Sequence, residues 1–370
     1  MSEHGLPSEV LLVLGMHRSG SSALTRVISL LGYSLPKTLI KDNASNRRGH
    51  WESQPLARLD DAYLGEAGLV WSDWTSGTLV RMQAAAMRDF EQDLRSLIAD
   101  EFPAGQPAVI KEPRLCRFVP RIRAALGPDV PTRAIIITRN PLEVIASLMR
   151  RNNLTEANAG LLWLRYMLDA VSGSEGLPRA FVAYDQLIAD PLTTLSGVER
   201  VLGSPYPITL DHVASEVSGF LNGTLQNHAS SAEDVVHHDL TGGWISDAYA
   251  ALRVLTNDPQ APEPLATLAR VQREFDLAEP MLGYIVASYD QELDELRRRT
   301  AALGASVELK TEQVRILRDA AEEDDARGAA VAFESEIETL QAQVEHERAE
   351  LRALRRSPSW RITAPLRSLI

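Results

Sequence analysis

Residues 10–22 read VLLVLGMHRSGSS. Val10–Leu14 is a continuous apolar run, as expected of a strand buried on both faces in a parallel sheet. It passes into a glycine-rich turn and then into Ser22–Leu31, whose pattern is helical. Gly15 and Gly20 have the Gly-x-x-x-x-Gly spacing of a phosphate-cradling loop, yet Ser21 stands where a nucleotide triphosphatase carries its lysine. Backbone amides around Arg18–Ser22 would converge on an anion at the helix N-terminus. Ser19, Ser21 and Ser22 add hydroxyl donors, and Arg18 supplies the charge that the missing lysine would have given. The alternative is a tight strand–helix turn whose glycines serve only the backbone.

Three further runs read as strands: Ala108–Ile110, Ala134–Thr138 and Ala180–Tyr184. Helical patterns separate them, clearest at Val144–Arg151 and Ala157–Val171. Strands alternating with helices predict an α/β domain with a parallel sheet, whose ligands bind beyond the strand C-termini. A second loop of interest, ITRNPLEVIASLMRR, has Arg139 at a strand end, Pro141 suited to a first helical turn and Ser147 eight residues after the arginine. Arg139 and Ser147 are a candidate pair for a second phosphate, away from the first.

Composition bounds the rest. The chain has 370 residues, enough for one large domain and an appendage. No run approaches the length of a membrane span, and MSEHGLPSE lacks the pattern of a signal peptide. Cys116 is the single cysteine, which excludes an intramolecular disulfide and suits a cytoplasmic setting. A net charge of −12 argues against general nucleic-acid binding. No close metal-ligand spacing stands out, so no metal site is expected.

From Tyr284 the composition turns to charged residues with spaced apolar ones. Ile337, Leu340, Val344, Leu351 and Leu354 fit heptad a and d positions with Glu347 interrupting, and Leu293, Leu296 and Leu303 precede them. The expected organisation is a phosphate-loop domain at 9–283, a helical coiled-coil extension at 284–356 and a basic tail at 357–370. The coil is a candidate for self-association or partner contact.

Taken together, the motifs resemble the sulfotransferases that use 3′-phosphoadenosine 5′-phosphosulfate (PAPS). The RSGSS segment is similar to that family's 5′-phosphosulfate loop, and Arg139 with Ser147 to its 3′-phosphate pair. Phe181–Pro205, FVAYDQLIADPLTTLSGVERVLGSP, is similar to the family's strand, Tyr-acid-x-Leu, Asp-Pro and helix ending in Leu-Gly. Gly49-His50-Trp51-Glu52 is similar to an element of bacterial members that carry a GMHRSG loop. The resemblance covers about residues 9–230.

It implies a P-loop-type parallel sheet flanked by helices, no metal, and sulfuryl transfer from PAPS to a hydroxyl or amine. Arg18, Ser19, Gly20, Ser21, Ser22, Arg139 and Ser147 would bind the donor. Arg18 and Lys111 would be catalytic, since Lys111 in VIKEPR matches a transition-state lysine of some relatives. Its other reading is a strand-end ion pair, with Glu112 as one partner. Arg114 either binds an anionic acceptor or pairs with an acid. Glu52 is the expected general base, with His50 its rival.

The sequence also departs from the family. Phe220–His228, with Gln226, stands where an arginine-bearing element is expected, and Gly242-Gly243-Trp244 is only faintly similar to the glycine-rich nucleotide segment. Ser357–Arg367, SPSWRITAPLR, is similar to an element that follows coiled coils in bacterial glycan-assembly proteins, which implies a cell-surface glycan or its precursor as acceptor. Trp360, Ile362, Leu366 and Leu369 among arginines suit either a docking peptide or peripheral contact with the inner membrane face, docking being preferred. Two other functions compete: a noncatalytic nucleotide-binding scaffold acting through its coil, and a P-loop kinase. Ser21 and the lack of an acidic Mg²⁺-binding strand end weaken the kinase reading.

Overall fold

A computed structural model describes residues 5–40, 49–75, 84–152, 154–222, 231–238, 241, 243–319 and 324–354. Each apolar run is a strand: β1 (Glu9–Leu14), β2 (Pro107–Ile110), β3 (Thr132–Thr138) and β4 (Arg179–Ala183). They form one parallel sheet in the order β2-β1-β3-β4. The order reverses beside β1, so the crevice at the β1/β3 ends is where a doubly wound sheet places its ligand. Tyr184 was expected in the last strand. It leaves the sheet and opens a helix instead, because the strand ends at Ala183.

The helices follow in chain order. They are α1 (Ser21–Leu30), α2 (Gln54–Glu66), α3 (Ala84–Glu101), α4 (Val119–Leu126), α5 (Pro141–Asn152), α6 (Glu156–Gly173) and α7 (Tyr184–Ala189). Then come α8 (Pro191–Leu202), α9 (Leu210–Asn222), α10 (Ala232–His237), α11 (Trp244–Leu255), α12 (Pro262–Asp319) and α13 (Asp324–Leu354). Their starts are written locally. Ser53, Thr155 and Asp190 each accept a backbone N–H of the first turn, and Pro55 and Pro191 occupy positions where a missing N–H costs nothing.

Strand alternation builds the core. Leu11 and Val13 of β1 and Ile135 and Ile137 of β3 lie in one cluster with Leu24, Val27 and Ile28 of α1, Leu195 and Val198 of α8, and Val217 of α9. Leu12, Leu14 and Ile136, which alternate with them, are buried too, while α6 and α11 pack against β3. A sheet covered on both sides makes its strands wholly apolar, and each fully buried leucine or isoleucine contributes about 2 kcal/mol.

The chain divides into two compact units, Met1–Glu279 and Pro280–Ile370. In the second, the part of α12 after Pro280 and α13 pair antiparallel, with Lys310 bonded to Glu336 at 2.7 Å and lying over the Phe333 ring. Among the described residues of this unit Leu282, Leu296, Val314 and Val344 are buried, and Ile337 and Leu340 are half-buried. Among the described residues no helix is long and apolar enough to cross a membrane. The tail motif at 357–367 lies outside the described residues.

Gly15 is held where the first loop leaves β1. Its N–H donates to Cys116 Sγ at 3.1 Å, and a Cβ there would fall 2.6 Å from the Ile137 carbonyl oxygen. That neighbour is sheet backbone and cannot swing aside. Gly15→Ala is therefore expected to lower stability by about 2 kcal/mol, typical of overpacking, read as a fall in the urea midpoint with an unchanged slope.

Candidate active site

The loop between β1 and α1 is wound tightly by its own backbone. Ser19 N–H donates to the Met16 carbonyl at 3.2 Å, Arg18 takes φ 72° and Gly20 takes φ 91°. Gly20 caps α1 without any side-chain hydrogen bond, so the first amides of the helix are left for another acceptor. Only glycine suits position 20, because a Cβ would sit 2.1 Å from the Tyr184 ring. Two described residues other than glycine have positive φ, Arg18 and Trp51, and both line the same cleft. Backbone held in this sparsely populated region is a feature of functional sites.

That cleft has a volume of about 250 Å³ and opens at the C-terminal ends of the strands. It brings together Arg18, Gly20, Ser21, Ser22, Glu52, Lys111, Arg139 and Ser147 from four separate stretches of chain. Ser19 is not part of the lining: its side chain is fully buried, and its hydroxyl has no partner among the described residues.

Lys111, just beyond β2, is the hub. Its Nζ pairs with Glu52 Oε1 and donates to Ser22 Oγ at 3.1 Å and to the His50 carbonyl at 3.2 Å. The side chains of this pair are only 3% and 8% exposed. Lys111 lines the cleft, and the ion pair it makes is with Glu52 rather than Glu112. Glu112 pairs with Arg114, which also bonds Asp61 at 2.7 Å, so Arg114 is occupied by acids and does not line the cleft.

Arg18 and Ser147 join the two loops. Arg18 Nε donates to Ser147 Oγ at 2.9 Å, so Ser147 touches the first loop as well as standing near the second. Arg139 bonds Glu143 at 2.6 Å and lies over the Tyr184 ring, 4.8 Å from its centre. Burial, followed by the charges of Arg151, Arg139 and Arg150, makes the Arg18 guanidinium release its proton more easily than usual. Such crowding of cations favours a bound anion.

Two imidazoles line the cleft. Burial pushes His17 well below the ordinary histidine range, and Arg114, Lys111, Arg151 and Arg18 push the same way. His17 stands edge-on to Trp71, 5.0 Å between ring centres, and its Nε2 is shut from solvent without a hydrogen-bond partner. His50 is lowered chiefly by burial, with Glu52 opposing and Lys111, Arg151 and Arg18 reinforcing. Both rings are neutral near pH 7.

Tyr184, Arg150, Arg151, His17 and Glu143 also line the cleft and were not assigned from sequence. Two of them carried a readable signal: Arg150 and Arg151 fall three and four residues after Ser147, on the same helix face. Gln226 and Gly242 lie outside the described residues. Trp244 bonds Glu274 at 2.8 Å and is not part of the cleft lining.

The fold is α/β, a parallel four-stranded sheet flanked by helices and followed by a helical extension. Its loop between β1 and α1 has the architecture of a phosphate-binding loop. No protein-family model matches the chain, and no curated protein matches it. Among solved structures it is similar to a sulfotransferase domain from the curacin biosynthetic pathway, at 18% identity and TM-score 0.36, covering 73% of this chain and 98% of that one. It is also similar to a sulfotransferase domain from the Synechococcus PCC 7002 olefin synthase, at 17% identity and TM-score 0.35, covering 74% and 96%.

A buried carboxyl pair lies next to the hub residue in sequence. Asp60 is fully buried and finds no donor except a proton shared with Glu112; burial first, then the Glu112 charge, raises its pKa well above the usual carboxylate range. A raised folded pKa means the folded state binds the extra proton. The stability this gives is complete below the unfolded value of about 3.9 and is lost as pH rises through the folded value. Asp60→Asn removes the titration. The variant should gain stability over the parent as pH climbs from about 4 to about 8, measured as a widening gap between urea midpoints.

Proposed function

We propose that the chain transfers a sulfuryl group from PAPS to a hydroxyl or amine of an acceptor. The observation that carries this reading is the convergence of an arginine-bearing phosphate loop, the Lys111–Glu52 pair and Arg139 on one cleft. In-line transfer needs fixed positive charge on the moving group and the leaving phosphate, a base for the acceptor, and a second anchor for the donor. The cleft has a candidate for each.

The amides of Ser21 and Ser22 with Arg18 would hold the phosphosulfate, and Arg139 with Ser147 the 3′-phosphate. Lys111 and Arg18 would carry the charge that grows on the leaving phosphate oxygen as its bond to sulfur breaks. Glu52 would take the acceptor's proton as the new bond to sulfur forms. Glu52 is paired with Lys111 while the cleft is empty; a donor phosphosulfate would compete for the ammonium and free the carboxylate oxygen for the acceptor. His50 presents only its carbonyl to Lys111, which supports Glu52 over His50 as the base. Among the described residues no group of three or more His, Cys, Asp or Glu side chains is placed to hold a metal ion.

The tail motif supports a glycan or glycan precursor as acceptor and contact with the inner membrane face, and the single cysteine, Cys116, supports action in the cytoplasm.

Calorimetry with adenosine 3′,5′-bisphosphate and ADP tests the donor assignment. The bisphosphate should bind more tightly, and Arg139→Ala should weaken it by roughly ten- to a hundredfold, as loss of a charge-assisted hydrogen bond does, while weakening AMP little. Preference for ADP, or no binding of either nucleotide, would overturn the reading. Glu52→Gln keeps the shape and an acceptor oxygen for Lys111. It should cut turnover by about 10² or more, in the range of general-base losses, and leave bisphosphate affinity unchanged.

A further inference from the structure

The donor anchors leave part of the cleft unused. Along one face of α5, Glu143, Ser147, Arg150 and Arg151 line it at helical spacing. Arg139 lies just before this helix and pairs with its first turn at Glu143. Ser147 receives Arg18 in the middle. Arg150 and Arg151 come a turn later, on the far side of Ser147 from Arg139; a rise of 1.5 Å per residue puts Arg151 about 12 Å along the axis from Glu143.

These two arginines also differ from the other cations of the cleft in how they are partnered. Lys111 is paired with Glu52, Arg139 with Glu143, and Arg18 is hydrogen-bonded to Ser147. Arg150 and Arg151 are exposed and have no acidic partner among the described residues. A helix C-terminus welcomes positive charge, which accounts for arginine there. It does not account for both facing a cleft already crowded with cations. Arg151 acts on Arg18, His17 and His50 alike, so its charge reaches across the cleft that it lines. Within the same cleft the buried Nε2 atoms of His17 and His50, unpartnered among the described residues, are a second sign of a polar ligand, since such atoms in folded proteins are normally satisfied.

We propose that this end of the cleft receives the acceptor, and that Arg150 and Arg151 read an anionic group on it, a carboxylate, sulfate or phosphate near the hydroxyl or amine that reacts. The inference rests on the donor assignment made above. Arginine suits the task because its planar fork matches the oxygens of such groups, and because it stays charged at any working pH.

The experiment uses the full chain saturated with adenosine 3′,5′-bisphosphate and four probes: an unsulfated glucuronate-containing hexasaccharide, a neutral N-acetylglucosamine hexasaccharide, glucose 6-phosphate and glucose. Each charged probe should bind at least about tenfold more tightly than its neutral counterpart, and the preference should fade as salt rises. In Arg150→Ala/Arg151→Ala the preference should fall to within about twofold, with bisphosphate affinity changed by less than about threefold. The carboxylate and phosphate arms separate the two sources of anion.

Several results overturn the proposal: no binding of either charged probe, equal binding of charged and neutral probes, or a preference that survives the double substitution. A large loss of bisphosphate affinity in the double variant also overturns it, since the arginines would then hold the donor. If the parent fails to bind the bisphosphate yet shows a charge preference that follows the two arginines, the donor assignment falls and the anion site stands.

Discussion

Lys111 and Glu52 form a buried ion pair in a cleft otherwise rich in arginine. Two charges withdrawn from water cost several kcal/mol each unless they meet and their remaining hydrogen bonds are satisfied. Lys111 meets that demand by bonding three groups on two other stretches at once: Glu52 and the His50 carbonyl before α2, and Ser22 at the start of α1. The segment before α2 is thereby fastened to the end of β2 and to the phosphate loop. Removing either partner would strand a charge and loosen three walls of the cleft together.

A second link closes the other side. Arg18 reaches Ser147, Arg139 donates to the Arg18 carbonyl at 3.4 Å, and the Tyr184 ring lies against both Gly20 and Arg139. The loops after β1, β3 and β4 therefore meet around one glycine that has no room for a side chain. Farther from the cleft, Arg165 is almost wholly buried and bonds Asp276 at 2.7 Å and the Trp74 carbonyl at 2.9 Å. It ties the start of α12 to α6 and to the segment that carries Trp71.

Much of this architecture could be read from the sequence because its signals are local. Apolar runs mark strands buried on both faces, and a glycine pair marks the loop. Arg139 and Ser147 stand out by their spacing. What escaped reading depends on contacts between distant residues. Tyr184 looked like the end of a strand, and its place between Gly20 and Arg139 exists only once β4 lies beside β3. Asp60 carries no local signal, because its burial against Glu112 joins positions about fifty residues apart in the chain. Arg150 and Arg151 were within reach of helical periodicity from Ser147. The heptad reading of the extension is only partly reflected in burial, because Val344 is buried while Ile337 and Leu340 are half-buried.

Arg18 holds a backbone conformation that glycine adopts freely and arginine adopts at a cost of about 1 kcal/mol. The chain thus keeps a cation at a position where stability alone would favour no side chain. Charge and backbone ease pull in opposite directions there. A glycine at this position would make the loop easier to fold and less able to hold an anion, whereas an alanine would lose on both counts. Selection for folding and selection for ligand would leave opposite marks at this one residue.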